Sequence, residues 1–149
     1  MMITKLKELM SLNGEMNAAE IESRFTQIAK LLFENFAIQK GEKIYLFKEI
    51  EFYFYNKHHR DIITHPRFSD SLYWYVNDFG GIDLNFPSEI CKKDGIDSTG
   101  KKVDKYILDD SSYFGGILIR QLVSEDKSDI LEGPWACAEL FRLCLLYTS

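Results

Sequence analysis

Two carboxylates stand two residues apart among aromatic rings in Tyr45-Leu46-Phe47-Lys48-Glu49-Ile50-Glu51-Phe52-Tyr53-Phe54-Tyr55. A spacing of two is the strand period, and successive strand side chains point to opposite faces. Tyr45, Phe47, Glu49, Glu51, Tyr53 and Tyr55 therefore share one face of an expected strand over 43–55. Ile44, Leu46, Ile50, Phe52 and Phe54 share the other, with Lys48 as the exception. A face that merely met solvent would not need four aromatic neighbours around two acids. Glu51, between Tyr53 and the bulk of Phe47, is a candidate general base, because partial desolvation suits a carboxylate to that work. The plain alternative is a half-exposed strand acid paired with Lys48 or Arg120.

Arg120 lies within Ile117-Leu118-Ile119-Arg120-Gln121-Leu122. A guanidinium on an apolar strand must find an acid or a phosphate, since an unpaired buried charge is very costly. Two readings stay open for it: a structural Arg–Glu pair, or a clamp on substrate phosphate. His58, His59, Asp61 and His65 match no metal-ligand spacing, and neighbouring histidines on an extended chain diverge, so no metal site is expected there. Three cysteines (Cys91, Cys137 and Cys144) contain no C-x-x-C pair, which fits neither a disulfide framework nor a zinc site. Trp74 and Trp135 are most simply core. Gly115-Gly116 is not a phosphate loop by itself.

The elements that must position these groups follow from periodicity. Residues 1–12 suit a short helix with Leu6, Leu9 and Met10 on one side, stopped by Asn13-Gly14. Asn17 with Glu20 reads as a capping box for a second helix reaching about Phe36, with Ile21, Phe25, Ile28 and Leu32 on one face. Gly41 ends that helical region. Residues 58–68 read as a loop closed by Pro66. Short strands are expected over 72–76 and 82–86 around a turn at 77–81. Residues 87–100 look like a polar surface excursion, 101–108 like a weak edge strand and 117–122 like an inner strand. Gly133-Pro134 opens a last helix.

The 149 residues suit one domain, 1–149, that buries about two-thirds of its unfolded surface. The chain stops inside the last helix, so the domain is expected to continue past Arg142. The ending Cys-Leu-Leu-Tyr-Thr-Ser, 144–149, resembles a translated sequencing adapter. No apolar run approaches the ~20 residues of a membrane helix, and the first twelve residues are too charged for a signal peptide. A cytoplasmic protein without membrane contact is expected. The net charge of −5 argues against strong non-specific nucleic-acid binding. The candidate basic surface is 57–67, with Lys57, Arg60, Arg67 and three histidines against Asp61.

Read together, these pieces are similar to the alkyladenine (3-methyladenine) DNA glycosylase family. Lys48-Glu49-Ile50-Glu51-Phe52-Tyr53 resembles that family's acid-x-acid-x-Tyr strand, and Leu72-Tyr73-Trp74-Tyr75 its Leu-Tyr-x-Tyr strand. Asn85 falls at the expected distance for the asparagine that follows. Ile117-Leu118-Ile119-Arg120 resembles the apolar strand ending in the site arginine, and Gly133-Pro134 the start of a late helix. The resemblance covers about 44–140. The N-terminal helices are not part of it.

The expected fold is α+β: a curved, mainly antiparallel sheet with a C-terminal helix, together with the N-terminal helices read from the periodicity. The resemblance implies a monomeric, metal-free and cofactor-free hydrolase that excises an alkylated or deaminated purine from damaged double-stranded DNA in base excision repair. Glu51 would activate the attacking water. Arg120 would help hold that water and a backbone phosphate. Tyr53 and Tyr75 would sandwich the flipped-out base, and Asn85 would contact it. The family's base-contacting histidine, nine residues after the tyrosine, falls on Ile62 here, which leaves His59 or His65 for that role. Its intercalating aromatic falls on Asp78, with Phe79 next to it. The acidic charge and Asp78 support an alternative, a non-enzymatic binding domain that keeps the fold and the pocket.

Overall fold

The computed structural model describes residues 1–67, 72–77 and 79–148, with side chains except those of 91–94, 103, 104 and 142–148. The chain opens with α1 (Met2–Leu9) and α2 (Ala18–Asn35). It continues through β1 (Ala37–Lys40), β2 (Lys43–Asn56), β3 (His59–Arg60), β4 (Trp74–Val76) and β5 (Ile82–Asn85). Then come β6 (Cys91–Ile96), β7 (Lys102–Ile107), β8 (Phe114–Ser124), β9 (Ile130–Glu132) and α3 (Pro134–Thr148).

The fold is α+β. Its main sheet is a curled antiparallel half-barrel with strand order β1-β2-β8-β5-β4; β3 adds to β2, and β9 to β8. The long central pair, β2 and β8, runs from Tyr45 opposite Ser124 to Tyr55 opposite Phe114. The register shifts around Lys48, between Phe47 and Ile50, which is where the alternation read from the sequence has its exception. An irregularity of this kind breaks the ladder locally and bends the strand.

One face of the sheet is covered by the first two helices. Asn17 caps α2, its side chain accepting from the Glu20 backbone N–H at 2.9 Å and donating to the Glu20 carboxylate at 3.1 Å. The first bond satisfies one of the backbone N–H groups that a helix start leaves without a partner, and the second ties the two side chains together. Ile21, Ile28 and Leu32 are then buried, and Phe25 stacks on Phe52 with ring centroids 4.7 Å apart. Phe54, Phe86, Ile117 and Ile119 complete that core. The other face carries the acids, and α3 covers only part of it.

Several expectations need correction. Gly41 does not end a helix: α2 stops at Asn35, and Gly41, with φ +61, turns the β1–β2 hairpin, whose first strand has too few residues to show a period. Residues 87–100 are not simply an excursion, because β6 pairs with β7 as a separate hairpin. Residues 58–67 contain β3 at His59–Arg60 before becoming a loop, and Phe68 lies outside the described residues. The strand β9 was not legible in its three residues. Both tryptophans lie outside the core: Trp74 is 44% exposed on the edge strand and packs at a tilt against Phe141, while Trp135 is 61% exposed on the first turn of α3. No helix among the described residues is long and apolar enough to cross a membrane.

Candidate active site

Residues directly opposite each other in an antiparallel ladder project to the same face. Glu51 lies opposite Leu118, Leu118 opposite Asp83, and Asp83 opposite Tyr75. Four strands thus set Glu51, Leu118, Asp83 and Tyr75 in one row across the sheet. The neighbouring row holds Tyr53, Gly116 and Asn85. The structure brings five of the seven site residues named from the sequence to one face: Glu51, Tyr53, Tyr75, Asn85 and Arg120.

Glu51 and Arg120 are in direct contact, Arg120 Nη1 to Glu51 Oε1 at 2.7 Å. Arg120 Nε also meets Glu49 Oε1 at 3.2 Å. The Tyr53 hydroxyl donates to the other Glu51 oxygen. Burial, followed by this hydrogen bond and the charge of Glu51, pushes the Tyr53 phenol up to about 12, so it stays a neutral donor. Glu51 and Arg120 remain reachable from solvent, with side chains 38% and 35% exposed. Each Glu51 oxygen has one protein donor and retains acceptor capacity for a water.

Tyr53 forms part of the wall of a cavity of about 300 Å³, near the lower end of small-ligand sites. Its other walls come from three segments brought together by the fold. The loop after β3 supplies Ile63, Thr64 and His65; the turn between β4 and β5 supplies Asn77, Phe79 and Gly81; and Pro134 and Trp135 come from α3. Asp61 shapes the loop by accepting from the backbone N–H groups of Ile63 at 3.0 Å, Thr64 at 3.3 Å and Phe54 at 3.2 Å. The His65 ring packs against the Phe79 ring, centroids 5.2 Å apart. Leu118, Asp83 and Arg67 form the floor.

The floor is where sequence reasoning missed most. Arg67, read as part of a basic surface, is buried. Its Nη1 lies 2.5 Å from Asp83 Oδ2 and 3.0 Å from Asn85 Oδ1, and its guanidinium covers the Tyr75 ring at 4.6 Å. Asn77 Nδ2 donates to the second Asp83 oxygen at 3.1 Å. Gly116 makes the space: a Cβ there would stand 2.9 Å from Arg67 Nη1 and 3.1 Å from Asn85 Oδ1. The signal was present in Ile82-Asp83-Leu84-Asn85, since an acid within an apolar strand needs a cation. Two buried polar atoms of the described residues, Thr64 Oγ1 and Asn85 Nδ2, have no hydrogen-bond partner.

The two candidate histidines separate clearly. His65 is in the cavity wall. His59 pairs across the sheet with Asn56, its Nδ1 is 2.7 Å from the Phe54 carbonyl oxygen, and its ring meets Phe25 edge-on. Its place is the helix-covered side of the sheet. The basic surface over 57–67 is smaller than the sequence suggests, because Arg67 is buried and Lys57 pairs with Glu15 at 2.9 Å. Asp78 lies outside the described residues. Among the described residues, no group of three His, Cys, Asp or Glu side chains could hold a metal ion.

Compared with protein-family models, curated proteins and solved structures, the chain matches none of them.

Proposed function

We propose that this chain hydrolyses the N-glycosidic bond of an alkylated or deaminated purine flipped out of double-stranded DNA, in the manner of a 3-methyladenine DNA glycosylase. The observation that carries the reading is the Glu51 carboxylate held between the Arg120 guanidinium and the Tyr53 hydroxyl, with Tyr53 in turn a wall of an aromatic cavity. Glu51 takes a proton from water while the water oxygen bonds to the sugar C1′. The glycosidic electron pair leaves with the base: a cationic alkylated purine departs neutral, and a deaminated purine departs as an anion that takes up the proton Glu51 removed from the water. Arg120 orients Glu51 and offers its remaining donors to the water or a phosphate. Tyr53, His65, Phe79 and Trp135 surround the extruded ring, and such stacking accepts any flat base.

The test is release of hypoxanthine or 3-methyladenine from oligonucleotides by the wild type and by Glu51→Gln. The variant keeps the shape and one acceptor oxygen but cannot serve as the base. Release should fall by roughly 10²–10⁴-fold while oligonucleotide binding persists. Equal release by both proteins removes Glu51 from the mechanism.

A second reading rests on the floor. Arg67 already covers the ring of Tyr75, one of the two tyrosines the resemblance assigns to base stacking. A binding domain that retains the pocket without turnover accounts for that, and for the acidic charge of the chain. Damage-specific oligonucleotide binding without release by the wild type selects it.

A further inference from the structure

We infer a further activity of the same site: hydrolysis of the N-glycosidic bond of a free purine nucleoside, with Glu49 favouring the uncharged nucleoside over its phosphorylated form. The inference rests on the reading above in taking Glu51 as the base and the cavity as the seat of the purine.

The reaction asks nothing of a neighbouring nucleotide. The purine needs a flat apolar seat, and Tyr53, Phe79, Leu118, Pro134 and Trp135 line a cavity of about 300 Å³. The sugar C1′ needs a water and a base. Tyr53 connects the two, since its ring belongs to the wall and its hydroxyl donates to Glu51. A purine seated against that wall with its N9 edge outward carries its sugar to the half-exposed carboxylate. The water oxygen bonds to C1′ as the C1′–N9 bond breaks. Glu51 takes the water's proton, the departing purine anion takes it up in turn, and the free sugar remains.

The groups around the sugar favour a nucleoside over a nucleotide. Glu49 and Glu51 share one guanidinium, that of Arg120, at 3.2 and 2.7 Å. The three side chains together carry one net negative charge. Sugar hydroxyls donate hydrogen bonds, and ionised carboxylates accept them. A phosphate dianion has only acceptors to offer. Arg120 keeps donors that can reach it, but a phosphate there gains one cation and meets two anions.

The wider surface adds to this preference. The chain carries a net charge of −5. Of the three Lys and Arg side chains of 57–67, Lys57 is paired with Glu15, Arg67 is buried on Asp83, and Arg60 alone is exposed. A polyanion is held by neutralising several phosphates at once. An uncharged nucleoside needs none of these contacts, because the cavity walls hold its ring.

The experiment measures hypoxanthine released from 2′-deoxyinosine, from its 5′-monophosphate and from a duplex oligonucleotide carrying one hypoxanthine. The wild type should hydrolyse 2′-deoxyinosine, with kcat/KM above that for the monophosphate by about tenfold, the scale of one net charge acting on a nearby phosphate. Glu51→Gln should lower that release by roughly 10²–10⁴-fold, which also excludes a contaminating hydrolase. Glu49→Gln, at a side chain 57% exposed, should stay folded and narrow the nucleoside-to-monophosphate ratio severalfold. Release from the oligonucleotide but not from 2′-deoxyinosine overturns the inference and leaves the reading above standing. No release from any of the three overturns both. Release from 2′-deoxyinosine without release from the oligonucleotide upholds the inference and removes DNA from the reading. The inference also falls if the monophosphate is hydrolysed as fast as the nucleoside, if Glu51→Gln releases as much as the wild type, or if Glu49→Gln leaves the ratio unchanged.

Discussion

Among the described residues, two arginine–carboxylate clusters lie on the same face of one sheet. Arg120 meets Glu51 and Glu49 with all three side chains more than a third exposed. Arg67 meets Asp83 with both side chains at or below 4% exposed, and Asn85 closes round them. The chemical groups are alike, but their surroundings differ. Water screens the first cluster, so its ion pairs add little to stability and its carboxylate stays available to a substrate. The second cluster has lost its water, so each partner exists at the other's expense and neither can be spared. The half-exposed cluster is suited to chemistry, and the buried one to holding the loop, the β4–β5 turn and the sheet together beneath the cavity.

This contrast can be broken at either cluster. The largest effect belongs to Glu51→Gln: base release should drop by roughly 10²–10⁴-fold, while urea unfolding shifts by no more than about 1 kcal/mol. A large stability loss with unchanged release would reverse the roles of the two clusters. Next comes Asp83→Ala, which leaves Arg67 buried without a counter-charge. Denaturant unfolding should show a loss of about 3–5 kcal/mol, with R67M/D83L costing less because both charges go together. A change below about 1 kcal/mol would mean that the cluster is hydrated in solution.

Gly116→Ala probes the same cluster sterically. Its new methyl would meet Arg67 Nη1 at 2.9 Å, and overpacking of this kind costs about 1–3 kcal/mol. Unfolding measurements should find that loss reduced when the methyl is introduced into the R67M/D83L background, where Nη1 is absent and no buried charge is left unpaired. A smaller effect concerns pH at the exposed cluster. The folded Tyr53 phenol titrates at about 12 against 10.0 for an unperturbed tyrosine. A raised pKa contributes stability below 10.0, and that contribution is lost as pH rises towards 12. Wild-type stability should therefore fall faster than that of Tyr53→Phe across this window, and parallel curves would deny the Tyr53–Glu51 bond. The smallest effect is Glu49→Ala, at most about 1 kcal/mol and shrinking with added salt. A salt-independent loss would place that pair out of contact with water.

The sequence by itself determined whatever is local and periodic. The alternation through Glu49, Glu51, Tyr53 and Tyr55 specified a strand and its faces, because the pleat leaves each side chain only two directions. Asn17 with Glu20 marked the start of α2, and Gly133-Pro134 the start of α3, because helix ends have few chemical solutions. The acids of β2 and the arginine of β8 were legible as groups needing partners. The tertiary structure alone decided which partners they took. Asp83 and Arg67 could have been matched to any opposite charge. Their union depends on how β5 lies beside β8 and where the loop after β3 returns, and a side-chain period carries no information about either. The same holds for the cavity, whose walls come from β2, a loop, a turn and the first residues of α3. His59 and His65 look equivalent along the chain. The β2–β3 hairpin turns one towards Phe25 and the Phe54 carbonyl, while Asp61 shapes the loop that carries the other to the cavity. Periodicity is a property of neighbours, whereas a pocket is set by contacts between segments far apart in the chain.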